Sequence, residues 1–410
     1  MKKSFLDKFG LLAFFFFALA VSISRAADIS CFGNDRTRTN VLVQEVQLPL
    51  GLIQPADLHR ERMWLLKKNV VSKVDFYITH SSAIEPASCM MVVKEKSRFA
   101  VDPLWDYSRL FGISTGLEFS LFNSRGCWDR LKLGIQIGGL QQYQLSYALP
   151  WFLGIRRLTL ATKGYHHENR YLYSDDPRDF LLRETGAESS FIYAVNRFHS
   201  LGVTATREWI RMNDASFPGG EQSETIHTMR MFWQIDTRDW PVYPKQGMYA
   251  YTCFSRIFSE ARLYDRFSSD FRWFEPVGNR SILAFQNKLE LAQGRVPVYK
   301  RVHVGGSESV RGYNRGFLAG DNRWVASMEL RFPIIYVREL SKGVHAGYAW
   351  VAFADAGTAW YEDESFQWNR VYGSVGIGIH AIWDRWVLRA DYGHHGESWG
   401  FIDTGLGAKF

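Results

Sequence analysis

Arg130-Leu131-Lys132-Leu133-Gly134-Ile135-Gln136-Ile137-Gly138 is the stretch whose reading decides the fold. Successive Cβ atoms of a strand point to opposite faces, so Leu131, Leu133, Ile135 and Ile137 form one face and Lys132, Gly134, Gln136 and Gly138 the other. The same period of two returns in Gln142–Tyr147, Leu158–Ala161, Met229–Trp233 and Met328–Phe332. Between such runs lie turn residues: Gly126, Asp175-Asp176-Pro177, Pro218-Gly219-Gly220, Asp236-Thr237-Arg238-Asp239 and Pro297. From about residue 102 onward helical periodicity disappears. The spacing predicts about 15–16 strands of roughly 8–12 residues, which suits an even-numbered transmembrane barrel. The last stretch, Phe401–Phe410, ends on an aromatic residue, as the closing strand of such a barrel usually does.

The rest of the chain agrees with a membrane barrel. Lys2 and Lys3 precede an apolar run from Phe9 to Ile23, and Ser24-Arg25-Ala26 puts small residues at the positions a secretory peptidase reads. Residues 1–26 are therefore expected to be a signal peptide. Beyond residue 26 no run of about 18 apolar residues follows, so any membrane crossing must use strands that satisfy their backbone groups in a closed barrel. Aromatic residues make up 16% of the chain, a load that the two interfacial girdles of a barrel require. The net charge of +7 does not make it a nucleic-acid binder, because 42 acidic residues are interspersed and no long basic block stands out.

Residues 27–97 read differently. Ile29–Phe32 is a short strand followed by a Gly33-Asn34-Asp35 turn. Thr39–Leu48 reads as a helix ended by Pro49 and Gly51. Pro55-Ala56-Asp57 opens a second helix that runs to Lys68, because proline is tolerated in a first turn and an acid there complements the helix dipole. Val70–Thr79 alternates as a strand, and Met90–Lys94 is another. The order β-α-α-β-β describes one compact module, with residues 98–410 left for the barrel.

Four further segments are more specific than periodicity. They are Gly305-Gly306-Ser307-Glu308-Ser309-Val310-Arg311-Gly312-Tyr313, Ala326-Ser327-Met328-Glu329-Leu330-Arg331-Phe332-Pro333, Phe353-Ala354-Asp355-Ala356-Gly357, and Asp236–Asp239 followed by Tyr243-Pro244-Lys245-Gln246-Gly247. In this order they resemble the outer-membrane assembly and two-partner-secretion superfamily, the surface-antigen barrels of BamA, TamA and FhaC type. The N-terminal module, with Gly33-Asn34, Gly51, Leu66 and Val74, resembles that family's periplasmic POTRA domain. The resemblance covers nearly all of the chain after residue 26. It implies a mainly β fold: a 16-stranded antiparallel barrel preceded by one POTRA domain. Assembly factors of the family carry several such modules and two-partner secretors two, so room for one implies a reduced or specialised member.

The resemblance also assigns roles. Val310-Arg311-Gly312-Tyr313 matches the signature of the family's sixth outer loop, which folds back into the lumen. A loop placed there needs an anchor: Gly312 permits a tight turn, and the fixed donors of Arg311 suit an inward carboxylate. The resemblance makes Asp355 and Glu329 those carboxylates. Glu329 fits, since it alternates with outward Met328 and Leu330. The resemblance further implies a seam between the first and last strands that accepts an incoming chain by strand addition. Here the seam is expected to join Gly112–Leu121 to the closing strand with Phe401, Gly405 and Phe410. The edge Lys73–Thr79 of the module is expected to receive substrate.

The implied partners are the outer-membrane bilayer, an unfolded or secreted protein substrate and accessory periplasmic proteins, with no nucleic acid, no cofactor and no metal. The implied function is insertion or translocation of proteins; a passive porin-like channel on the same barrel is the alternative. An outer-membrane enzyme finds no support. Gly112-Ile113-Ser114-Thr115-Gly116 matches a nucleophile elbow but lies in an alternating run with no helix behind it. His166-His167 and His394-His395 have no third ligand at metal spacing and read as solvated. Cys31 and Cys89 fall on strands that are neighbours in the family's sheet, so a disulfide between them is an expectation in an oxidising compartment. Cys127 and Cys253 read as free.

Overall fold

The computed structural model describes residues 27–406 apart from 50–52, 69, 81–86, 109–111, 140, 174–175, 214–220, 260–261, 342–343, 384–385 and 397–399. The segment read as a signal peptide, Gly51 and Phe410 lie outside the described residues.

The N-terminal module runs β1 (Ala27–Phe32), a helix (Thr39–Glu45), a second helix (Pro55–Lys67), β2 (Val71–His80) and β3 (Ala87–Glu95). Its sheet has the order β1-β3-β2, with β3 parallel to β1 and antiparallel to β2. Both helices cover one face, burying Leu42, Leu65, Val71, Val74, Phe76, Met91 and Val93 in a single apolar cluster. The second helix starts where the sequence places it: Pro55 occupies its first turn, and Gln54 and Asp57 cap each other reciprocally. The first helix is shorter than the pattern indicates. It stops at Glu45 because Val46 is extended, three residues ahead of Pro49.

Among the described residues, sixteen strands close into one antiparallel barrel. They are β4 (Phe99–Ser108), β5 (Gly112–Phe122), β6 (Arg130–Gly138), β7 (Gln141–Pro150), β8 (Leu158–Tyr173), β9 (Asp176–Ala194), β10 (His199–Asn213), β11 (Glu221–Asp236), β12 (Gly247–Phe258), β13 (Leu263–Val277), β14 (Ser281–Gly294), β17 (Asn322–Ser341), β18 (Val344–Trp360), β19 (Tyr372–Trp383), β20 (Trp386–His394) and β21 (Phe401–Leu406). A two-stranded ribbon, β15 (Val302–Val304) with β16 (Leu318–Gly320), lies inside the β14–β17 connection. The outer wall is apolar: Leu131, Leu133, Ile135 and Ile137 are all exposed, as are Met229, Met231 and Trp233. Inward positions of the same strands are polar, and many are buried. An exterior of this kind over a polar interior is the pattern that lipid on one side and a filled lumen on the other demand.

The seam lies one strand earlier than the sequence pattern indicates. Closing strand β21 pairs with β4, Gly405 opposite Asp106, and not with Gly112–Leu121, which forms the second strand, β5. The seam strand contains Pro103. It cannot donate to a ladder and so disqualifies Phe99–Ser108 as an interior strand, yet an edge is where a proline is tolerated. At the same seam, Trp386 Nε1 donates to Asp102 at 2.8 Å.

Strand order puts the turns 123–129, 151–157, 195–198 and 237–246 at the barrel end that carries the module, and all four touch it. Arg38 N–H donates to the Gly126 carbonyl (3.0 Å), and Asn123 Nδ2 to the Thr37 hydroxyl (2.7 Å). Arg156 donates to the Gln44 carbonyl, and Lys67 to the Arg238 carbonyl (2.7 Å). Arg197 grips both oxygens of fully buried Glu61, at 2.7 and 2.5 Å, and stacks over Trp64 at 5.1 Å. A bidentate pair of this kind fixes orientation as well as position.

The disulfide expected between Cys31 and Cys89 is absent; both are free thiols. β1 and β3 are neighbours, but the register sets Ile29 opposite Cys89 and Cys31 opposite Met91. The cysteines are thus diagonal, at about 7–8 Å, beyond the usual Cα separation of a bridge. Burial and the nearby Glu95 carboxylate push the Cys31 thiol up to about 11. Chain denatured without reductant should therefore take up an alkyl group at both cysteines, as read by peptide mass. In the folded protein Cys31 should react about a hundredfold slower than an exposed thiol, in step with its smaller thiolate fraction.

Candidate functional site

The connection 295–321 between β14 and β17 folds into the lumen and holds itself in shape. The Gly305 N–H donates to the Ser309 hydroxyl (2.7 Å), which donates to the Gly305 carbonyl (2.9 Å), and Gly306 N–H reaches the Tyr313 carbonyl (2.9 Å). Val310 is fully buried and packs with Val304 and Val325. This closed turn presents Arg311 to the wall.

Arg311 is fully buried. Its Nε and Nη2 hold the two oxygens of Asp355 on β18 at 2.8 and 3.0 Å, and its backbone N–H donates to the same carboxylate at 3.1 Å. Nη1 reaches Glu329 on β17 at 2.7 Å and Asp391 on β20 at 3.2 Å. The guanidinium lies 3.5 Å from the centre of the Phe353 ring. Four of the five N–H donors of the planar group are used, in a fork that a lysine ammonium could not reproduce.

The network extends past the motif. Glu329 gives its second oxygen to Arg331 at 2.9 Å, so one carboxylate bridges two guanidinium groups. Arg331 stacks over Tyr243 at 4.6 Å, and that tyrosine, buried in the turn 237–246, fills the lumen from the module end. His380 Nε2 lies 3.3 Å from Asp391, and Arg389 reaches Glu308 at 2.7 Å. Buried Arg311, Arg331 and Arg389 thus face buried Glu329, Asp355 and Asp391, so charge is balanced where no water screens it.

Gly312 carries the loop onto the strands beyond. Its φ is +86°, and a Cβ there would lie 2.7 Å from the Gly393 carbonyl carbon, while a Cβ on Gly393 would lie 2.6 Å from the Gly312 nitrogen. Two glycines are needed for loop and wall to touch backbone to backbone. The Gly312 N–H then donates to Asp403 on closing strand β21 at 3.2 Å. Tyr313 stacks on His395 at 4.3 Å and donates to the Gly373 carbonyl at 3.3 Å. His395, read from sequence as a solvated residue, is a packing partner of the motif. Phe401 and Gly405 sit on β21.

A second attachment of the loop escaped the sequence reading. On the opposite wall Lys300 reaches Glu184 of β9 (2.8 Å) and Glu208 of β10 (3.2 Å). The Tyr299 hydroxyl donates to Glu224 of β11, and Arg266 of β13 donates to the Lys300 carbonyl (2.7 Å). The loop therefore spans the lumen between two charged attachments. The available signal was an acidic residue at an inward position on each of three successive strands.

A family model described as the Omp85 superfamily domain matches residues 123–397. The chain belongs to the Omp85 superfamily. An outer membrane protein assembly factor BamA from Nitratidesulfovibrio vulgaris is 24% identical over 389 residues, covering 88% of this chain and 47% of the relative. The chain thus spans about half the length of that curated relative. Among solved structures, BamA from Haemophilus ducreyi lacking POTRA domains 1–3 superposes with a TM-score of 0.62 at 15% identity, covering 94% of this chain and 84% of the other. CdiB from Acinetobacter baumannii gives 0.62 at 13% identity, covering 93% and 73%. These likenesses establish the Omp85 fold, a POTRA-type module before a 16-stranded barrel.

In this Omp85 chain, Arg311→Ala leaves three buried carboxylates short of a cation, at a cost on the order of 3–5 kcal/mol. Arg311→Lys keeps the charge, loses the fork and should fall between. Gly312→Ala keeps every charge but drives the loop off Gly393. All three should lower the urea midpoint of the barrel and open residues 295–321 to protease, with Arg311→Ala the most severe; equal resistance to protease in all three would reject the anchoring geometry.

Proposed function

We propose that this protein inserts or translocates protein chains at the bacterial outer membrane, with its POTRA-type module in the periplasm. The observation that carries the reading is the route from Arg311 through Gly312 to Asp403. A loop that fills the lumen is bonded to the strand that closes the barrel, so the state of the lumen and the state of the seam are linked. At the seam β21 meets β4, with Gly405 opposite Asp106. Once the seam parts, an incoming strand can pair with its edges, because unpaired donors and acceptors template it.

The module supports the same reading. β2 is an outer strand of its sheet, and its free edge, Lys73–Thr79, is the place for an extended substrate segment or an accessory periplasmic protein to add. A passive channel is the poorer reading, since the lumen holds the attached loop from one end and Tyr243 from the other.

The test joins Asp106→Cys to Gly405→Cys, an opposed backbone pair across the seam. In proteoliposomes the reduced double variant should speed the folding of urea-unfolded outer-membrane proteins as the parent does. Oxidation should abolish that acceleration and reductant restore it, while either single variant is unaffected by oxidant. Acceleration that survives cross-linking rejects the seam as the route; ion conductance with no acceleration in the parent favours the channel.

A further inference from the structure

Residues 151–157, the turn from β7 to β8, read Trp-Phe-Leu-Gly-Ile-Arg-Arg. It is an unusual composition for a turn in water, where polar residues and glycine normally supply the bend. Its backbone is also unusual. Trp151, Leu153 and Arg157 all have positive φ, at 60°, 56° and 71°, in the left-handed region that side chains with a Cβ rarely adopt. The bend is nonetheless held tightly: Gly154 N–H donates to the Trp151 carbonyl at 2.9 Å and Ile155 N–H to the Phe152 carbonyl at 3.0 Å. The result displays apolar groups outward, with Leu153 at 77% and Ile155 at 48% exposure. Strain that persists to expose a leucine indicates that the leucine has something apolar to meet.

The direction of the display identifies the medium. Phe152 lies 6.0 Å from Phe191, and Phe191 is an exposed residue of the outer wall, next to inward Ser190 and Ile192 on β9. Phe152 is therefore continuous with the apolar belt of the barrel. The neighbouring turn at the same end behaves in the opposite way: its Trp128 packs against the core of the N-terminal module. The two arginines that end the turn point back to protein, Arg156 to the Gln44 carbonyl near the end of the first helix and Arg157 to the Val195 carbonyl at 2.9 Å. An aromatic and aliphatic tip with a basic base is the composition that settles at a membrane–water interface.

We propose that residues Trp151–Ile155 dip into the bilayer leaflet at the module-bearing end and, through Arg156, tie the first helix of the module to the membrane surface. The ligand is the lipid leaflet itself. The inference rests on the barrel spanning a bilayer, and the experiment separates the two. Leu153→Cys and, separately, Phe191→Cys carry an environment-sensitive fluorophore in proteoliposomes of phosphatidylcholine and phosphatidylglycerol, with the background of the native thiols measured on the parent protein. Quenchers are iodide in the buffer and a doxyl group on the lipid.

Both labels should be quenched by the lipid-borne doxyl group and shielded from iodide, Leu153 more strongly by a shallow doxyl position than by a deep one. Phe191 quenched by doxyl with Leu153 quenched by iodide overturns the anchor and leaves the barrel reading standing. Leu153 shielded from both quenchers indicates a protein cover and also overturns it. If neither label meets doxyl, the membrane-spanning reading itself fails.

Discussion

Everything at the centre of this molecule depends on one charge that has no access to water. Arg311 is fully buried, and its guanidinium would carry a penalty of several kcal/mol were it not matched group for group. The match comes from three separate strands: Asp355 on β18, Glu329 on β17 and Asp391 on β20. No two of them are adjacent in sequence, so the site exists only when that part of the wall has closed in the correct register. A slip of one residue would turn each carboxylate to the lipid side, because strand side chains alternate.

The same requirement propagates outward. Glu329 is shared with Arg331, which brings Tyr243 and the turn 237–246 under the network. Lys300 and Tyr299 set a second charged attachment on the far wall. The loop thus bridges the lumen instead of hanging from one point, and the turn 237–246 closes beneath it. On the module side, Glu61 with Arg197 repeats the logic: a buried carboxylate gripped at both oxygens sets how two bodies meet.

Most of the architecture was legible because its signals are local. Alternation in runs such as Leu131–Ile137 gives strands and their faces directly, and Pro55 with Asp57 marks a helix start within one turn of chain. Arg311, Asp355 and Glu329 stood out through short motifs. What stayed hidden is relational. Asp391, Arg389 and His380 sit at ordinary inward positions, and only barrel closure brings them to Arg311. Tyr299 and Lys300 are separated from Glu184 by more than a hundred residues of chain. The first strand carries Pro103, a local argument against a strand that only its place at the seam reverses. The cysteines failed for a similar reason: adjacency of two strands was legible, but their register was not.

The chemistry of the plug bears on how such a lumen opens. A loop held by packed apolar side chains would be at least as stable as one held by ions, since a buried ion pair is a weak source of stability. It would, however, leave an apolar surface facing water once withdrawn. Withdrawal of Arg311 would leave Glu329, Asp355 and Asp391 on the wall, and withdrawal of Lys300 would leave Glu184 and Glu208. When water or a polar chain enters, those carboxylates regain the hydration they lost, and the guanidinium regains its own. An opened lumen would therefore be a polar, wettable channel, while the closed one is a contact of matched charges. Both states would satisfy their charged groups, and a barrier would lie between them in the partly withdrawn loop, where one partner has left and neither is solvated. A lock built this way would favour two discrete states, and in the proposed function the Gly312–Asp403 bond is the link by which the closing strand would sense the change.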